Sequence, residues 1–137
     1  LDVATSIKNK MSKRNKKEIV WLKEPADHNY PSAVSYLSLI VDEKKATLVV
    51  DRLKRANICT FKARDIFRAS GLPLLGISQH QIDHNLKKIK KNEALSPILL
   101  IRDSEYRKVI VADGYHRLCA IYHHNDNMEI LCKIVDL

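Results

Sequence analysis

Two apolar runs only five residues apart most limit what this chain can fold into. Ile98–Arg102 reads ILLIR and Lys108–Ala112 reads KVIVA. Apolar residues follow one another in both, without the polar alternation of a half-exposed strand. Each therefore reads as a strand covered on both faces. The DSEYR between them is a hairpin-like connection. After Ala112 the pattern breaks at Asp113-Gly114 and resumes with helical spacing over Tyr115–His124. Asn125–Asn127 is a turn, and EILCKIV (Glu129–Val135) is a closing strand. Strands that need cover on both faces, joined to helices, make an α/β layout.

The upstream half supplies that cover. Glu18–Pro25 (EIVWLKEP) reads as a short extended segment, and ADHNYP as a turn. Pro31 suits the first turn of a helix over Ser32–Val41. Asp42 is placed to cap the next helix. Acidic residues fill its first turn, Arg52, Lys54 and Arg55 its last, which suits the macrodipole. Ala46, Val49, Val50 and Leu53 form its apolar stripe, and Asn57 is its stop. ICTF (Ile58–Phe61) reads as a strand and KARDIFRASG as a helix ended by Gly71. Ser78 is the expected cap of a helix presenting Ile82, Leu86 and Ile89. The expectation is one α/β (α+β) domain over residues 18–137, a compact mixed sheet with flanking helices. Its core is about 58–135, and residues 18–57 are a helical N-terminal extension.

Charge and cysteine content narrow the function classes. The net charge is +8, but residues 1–17 alone carry +5, from Lys8, Lys10, Lys13, Arg14, Lys16 and Lys17 against Asp2. These residues are expected to form a disordered basic tail. Such a tail can be a solvated end, or an arm for nucleic acid or another polyanion. The body, at +3, is not strongly basic. Three cysteines, Cys59, Cys119 and Cys132, show no CxxC spacing, which argues against a disulfide framework or zinc knuckle. A reducing, cytoplasmic setting is expected. No apolar stretch approaches the roughly 20 residues of a membrane span, and the N-terminus lacks a signal-peptide apolar region.

The chemistry concentrates at Asp113-Gly114-Tyr115-His116-Arg117. A glycine between strand end and helix start permits a tight turn and close ligand approach. The helix behind it offers unpaired N–H groups and a positive dipole end. Arg117 can add a planar fork of donors for phosphate oxygens. His116 can bind phosphate or move a proton near neutral pH. Asp113 can cap the helix or hold a divalent ion beside a polyphosphate. Tyr115 can stack or hydrogen-bond. The plain alternative is Asp113 as a cap, with His116 and Arg117 solvated.

Metal and hydrolase constellations are weaker. His116, Cys119 and His123 share one helical face, and His80 and His84 another, but Cys119 sits among apolar neighbours and no HExxH occurs. Ser70, Ser78, Ser96 and Ser104 all sit at caps or turns, and there is no G-x-S-x-G. Asp27-His28 beside Trp21 is an unusual cluster without a derivable role.

SPILLIR…KVIVADGYHRLCAIY resembles the ParB/sulfiredoxin-like superfamily, over roughly Ile58–Val135. Members share a strand, a hairpin, a second strand and a glycine-led turn into a helix that binds nucleotide phosphates. Partition proteins carry a Gly-Glu-Arg-Arg type turn there, and sulfiredoxins Gly-Cys-His-Arg. The resemblance implies phosphate contacts from Gly114, Tyr115, His116 and Arg117, with Lys62 and Arg64 as further ligands. It implies His116 and Asp65 as catalytic groups and Asp113 as a metal contact. The ligand would be a nucleotide of ATP or CTP type with Mg²⁺, or another phosphorylated small molecule. Any reaction would be phosphoryl transfer or NTP hydrolysis. Tyr115 replaces the reactive sulfiredoxin cysteine, so sulfinic acid reduction is not expected. The helix-turn-helix of partition proteins has no counterpart. The alternative is a nucleic-acid-binding or nuclease module of ParB-like type, using the basic tail and Lys87, Lys88, Lys90 and Lys91. Against all of this, Lys62, Arg64, Asp65 and Arg68 also have the spacing of an exposed, ion-paired helix face.

Overall fold

Asp42 starts the longest helix as its residue type predicts: its Oδ1 accepts from the Lys45 N–H at 2.9 Å. The computed structural model describes residues 15–137, so most of the expected basic tail, residues 1–14, lies outside the described residues. Residues 15–17 dock against the body. Asn15 N–H donates to the His124 carbonyl at 3.2 Å, and the His124 ring Nε2 donates to the Lys17 carbonyl at 2.7 Å.

Among the described residues the chain is α/β, with five helices and one open, mixed, four-stranded sheet. The helices are α1 (Asn29–Leu37), α2 (Glu43–Arg55), α3 (Ala63–Ser70), α4 (His80–Lys90) and α5 (Tyr115–His124). The strands are β1 (Cys59–Lys62), β2 (Ile98–Asp103), β3 (Lys108–Asp113) and β4 (Glu129–Asp136). The sheet order is β1-β4-β2-β3, with β4 parallel to β2 and the other two pairs antiparallel. None of these helices is long and apolar enough to cross a membrane.

The continuous apolar runs have the expected cause. Leu99, Ile101, Ile110 and Ala112 pack with Tyr30, Leu37, Val49 and Leu53 of α1 and α2. Ile98, Leu100 and Val111 face the other way, onto Ile66, Ile89, Leu118 and Ile121 of α3, α4 and α5. A strand between two helical layers needs apolar side chains at both parities. The α1 and α2 helices thus form one of the two layers that bury the sheet, while Ile19 and Trp21 of the preceding segment pack on the other. The Glu18–Pro25 segment joins by a single parallel bridge, Trp21 to Leu95.

Local readings differ at two helices. The α1 helix starts at Asn29, inside the ADHNYP expected as a turn, and stops at Leu37 rather than Val41. The α4 cap is Gln79, whose Oε1 accepts from the Ile82 N–H at 2.9 Å, one residue beyond Ser78. Lys133 is 2% exposed, pointing into the α1–α2 layer rather than to solvent. Its Nζ donates to the Lys54 carbonyl in the last turn of α2 and pairs with Glu24, both at 2.9 Å. A cation there satisfies an open carbonyl and the negative end of the helix. Burial alone would lower the Lys133 pKa, but the Glu24 carboxylate and the Tyr30 hydroxyl outweigh it and raise the pKa.

Candidate functional site

The turn from β3 to α5 begins with a register irregularity. Leu99 pairs with Asp113, whereas Leu100 pairs with Val111, so Ala112 is extra on β3. Such bulges bend a strand and re-aim the residues after them. Gly114 follows at φ +106°, a conformation that disfavours any side chain. A Cβ there would lie 2.9 Å from Arg117 Nη2, 3.2 Å from its Cζ and 3.0 Å from Ile98 Cγ1. The space beside Gly114 is filled by Arg117, not kept open.

Arg117 folds back over the turn. Its Nε donates to the Ser96 carbonyl at 3.0 Å and its Nη2 to Asp113 Oδ2 at 2.9 Å, with a longer contact to the Pro97 carbonyl at 3.4 Å. Both side chains of the ion pair are more than four-fifths buried. This arginine braces β2 against the turn, which is a different task from the phosphate fork suggested by its position.

In front of the turn lies a cleft of about 370 Å³. One wall is the start of α5, with Gly114, Tyr115, His116 and Arg117. No side chain caps α5, and its first bond runs from Leu118 N–H to the Gly114 carbonyl. The N–H groups of Tyr115, His116 and Arg117 are therefore the open donors of the helix. A second wall is the start of α1, where His28 and Asn29 meet Ser96; no side chain caps α1 either. Ser96 Oγ accepts from the Ala26 N–H at 3.0 Å and donates to Asn29 Oδ1. The third wall is α4, through Gln81, His84, Asn85 and Lys88. The α1 amides are already used, Asn29 N–H by the Ala26 carbonyl and Tyr30 N–H by the Asp27 carbonyl, so the open helix start in the cleft is that of α5, beside one lysine, three histidines and a single, already paired carboxylate. The open α5 amides and the Lys88 ammonium both favour an anion there.

The expected site residues separate into two groups. Asp113, Gly114, Tyr115, His116 and Arg117 share the cleft; Lys62, Arg64 and Asp65 do not line it. Lys62 ends β1, which is the opposite edge of the sheet from β3, three strand spacings or roughly 14 Å away. The Arg64 N–H donates to the Asp126 carbonyl at 2.9 Å, and Asp65 lines a separate groove with Phe61, Ile66 and Arg102. His116 and Asp65, the expected catalytic pair, are not brought together. A Mg²⁺ ion fits the cleft poorly, because Asp113 Oδ2 is held by Arg117 and no second carboxylate lines the walls. Among the described residues, no group of three or more acidic, histidine or cysteine side chains is arranged to hold a metal.

Tyr115, Cys119 and His123 form a rail along α5, but not a metal site. The Tyr115 hydroxyl donates to the Pro73 carbonyl and His123 Nε2 to the Leu75 carbonyl, the latter at 2.7 Å. Cys119 is fully buried against the same loop. Burial, then the neighbouring Cys119, raises the Tyr115 hydroxyl pKa, and burial raises the Cys119 thiol. Tyr115 so placed holds the 72–78 connection against the helix.

The sequence marks His28 without a role and Ser96 only as a turn residue, and gives no reason to single out Asn29, Gln81 or Asn85. A usable signal exists on α4: Gln81, His84, Asn85 and Lys88 recur at helical spacing on a face flanking the Ile82 and Ile89 stripe. No protein-family model, curated protein or solved structure matches this chain.

Proposed function

We propose that the cleft before α5 binds a small phosphorylated molecule, a mononucleotide of the ATP or CTP type being the leading class. The carrying observation is the convergence of the open α5 N-terminus with Lys88, His28, His84 and His116 around a cleft whose one carboxylate is neutralised. Phosphoryl oxygens would accept from the N–H groups of Tyr115, His116 and Arg117 and from Lys88 Nζ. Gln81, Asn29 and Asn85 would serve the sugar or base. A cleft of about 370 Å³ is at the small end of ligand sites, which suits one nucleotide better than a strand of nucleic acid. The proposed recognition does not depend on Mg²⁺, for the reason given at Asp113. The kinship with the ParB/sulfiredoxin-like superfamily belongs to this proposal and rests on the Asp113–Arg117 text. If phosphoryl transfer or hydrolysis takes place, His116 is the proton carrier in reach, and Asp65 has no part in it.

The alternative of nucleic-acid binding draws on Lys90 and Lys91, exposed at the C-terminal end of α4. Lys87 is paired with Asp83 at 3.0 Å and contributes less.

Thermal-shift titration with inorganic phosphate, AMP, ATP and CTP, each with and without Mg²⁺, tests the proposal. A ligand at 100 times its Kd adds about 2.7 kcal/mol. Stabilisation by a nucleotide, reduced in Lys88→Ala and His116→Ala, is expected. Stabilisation by none of them, or equally in both variants, refutes it. Tighter, steeply salt-dependent binding of an oligonucleotide favours the alternative.

A further inference from the structure

Cys59 and Cys132 have no motif spacing, yet they are direct partners across the β1–β4 pair. Their sulfur atoms are 3.7 Å apart. Each thiol also faces the other residue's carbonyl, at 3.5 and 3.6 Å. Directly opposed residues of antiparallel strands have Cα atoms about 4.5–5.5 Å apart, inside the roughly 4.4–6.8 Å range that a disulfide spans. Closing the sulfurs to bonding distance takes about 1.7 Å of travel, within the reach of side-chain rotation. Cys59 is half-buried on an edge strand, Cys132 is fully buried, and Cys119 belongs to the α5 rail elsewhere.

We infer that Cys59 and Cys132 form a redox-active dithiol, which a low-molecular-weight disulfide such as glutathione disulfide oxidises to a cross-strand disulfide. The Cys59 thiolate attacks one sulfur of glutathione disulfide and displaces one glutathione thiolate. The Cys132 thiolate then attacks the Cys59 sulfur of the mixed disulfide and displaces the second glutathione. Two protein thiols and one glutathione disulfide become one protein disulfide and two glutathiones, so electrons and protons balance. Burial pushes the Cys132 thiol up, which makes the second step the slow one. The Cys59 adduct therefore accumulates first and then resolves into the cross-strand disulfide. The product ties the edge strand β1, and the start of α3 behind it, covalently to β4. It closes a loop of more than seventy residues, which raises thermal stability by restricting the unfolded chain.

Intact-mass analysis and peptide mapping of the folded chain after titration with glutathione disulfide test this. The expected result is a glutathione adduct on Cys59 that decays to a species lacking two hydrogens, with Cys59 linked to Cys132 and a higher Tm. Cys119→Ser should oxidise like the wild type, and Cys132→Ser should stop at the adduct. A wild-type adduct that persists, a bridge that involves Cys119, or no oxidation at any glutathione disulfide ratio would overturn the inference.

Discussion

Replacing Gly114 by alanine separates two reasons for having glycine at the turn. If glycine serves only ligand approach, the substitution leaves stability almost unchanged. The packing predicts otherwise. A side chain at φ +106° costs about 1–2 kcal/mol in backbone strain. The new Cβ would also press on Arg117 Nη2 at 2.9 Å and on Ile98 at 3.0 Å. Arg117 can yield only by leaving the Ser96 carbonyl and Asp113, and hydrogen bonds to charged groups are worth about 1.5–3 kcal/mol. The expected cost of Gly114→Ala is about 3–4 kcal/mol in the wild type. In an Arg117→Ala background the guanidinium contacts are gone and about 1–2 kcal/mol of strain remains. Urea unfolding of the four proteins, with unchanged m-values, measures the cycle. Non-additivity of about 1.5–2 kcal/mol is predicted. Costs that agree within about 0.5 kcal/mol in both backgrounds would refute the claim that Arg117 fills the turn.

Three further outcomes follow from the packing. Lys133→Met should lower stability by about 2–3 kcal/mol at neutral pH, read by urea unfolding, because it strips a charged donor from the Lys54 carbonyl and Glu24. The Lys133 pKa is raised on folding, so its stabilisation is complete below the unfolded value of about 10.4 and is lost as pH rises through the higher folded value. Above that window the gap between the wild type and Lys133→Met should narrow. Tyr115→Phe should cost about 1 kcal/mol and speed proteolytic cleavage within residues 72–78, since the Pro73 carbonyl loses its donor. Leu99→Ala should cost about 2–5 kcal/mol, since Leu99 is fully buried in the α1–α2 layer.

Local chemistry made much of the fold legible. The cap at Asp42, the stripe of α2, the glycine after α3 and the two doubly covered strands all rest on neighbours within a few residues. What escaped depends on partners far away in sequence. Nothing in EILCKIV shows that Lys133 is buried beside Glu24 and the Lys54 carbonyl. Arg117 looks like an open fork, because nothing in DGYHR shows that the Ser96 carbonyl lies behind it. Lys62 and Arg64 were grouped with the turn without knowledge of strand order, which puts β1 and β3 at opposite edges. The cleft itself combines α4 and α5, which pack on each other through Ile82, Cys119 and Ala120, with α1 from the other layer.

The most direct test of the account follows backbone amide resonances while AMP or ATP is titrated into the protein without Mg²⁺. Saturable shifts centred on the Tyr115, His116 and Arg117 amides, weakened in Lys88→Ala, are predicted. Shifts confined to residues outside the cleft, or none at these three amides while another site saturates, would contradict phosphate recognition at the start of α5.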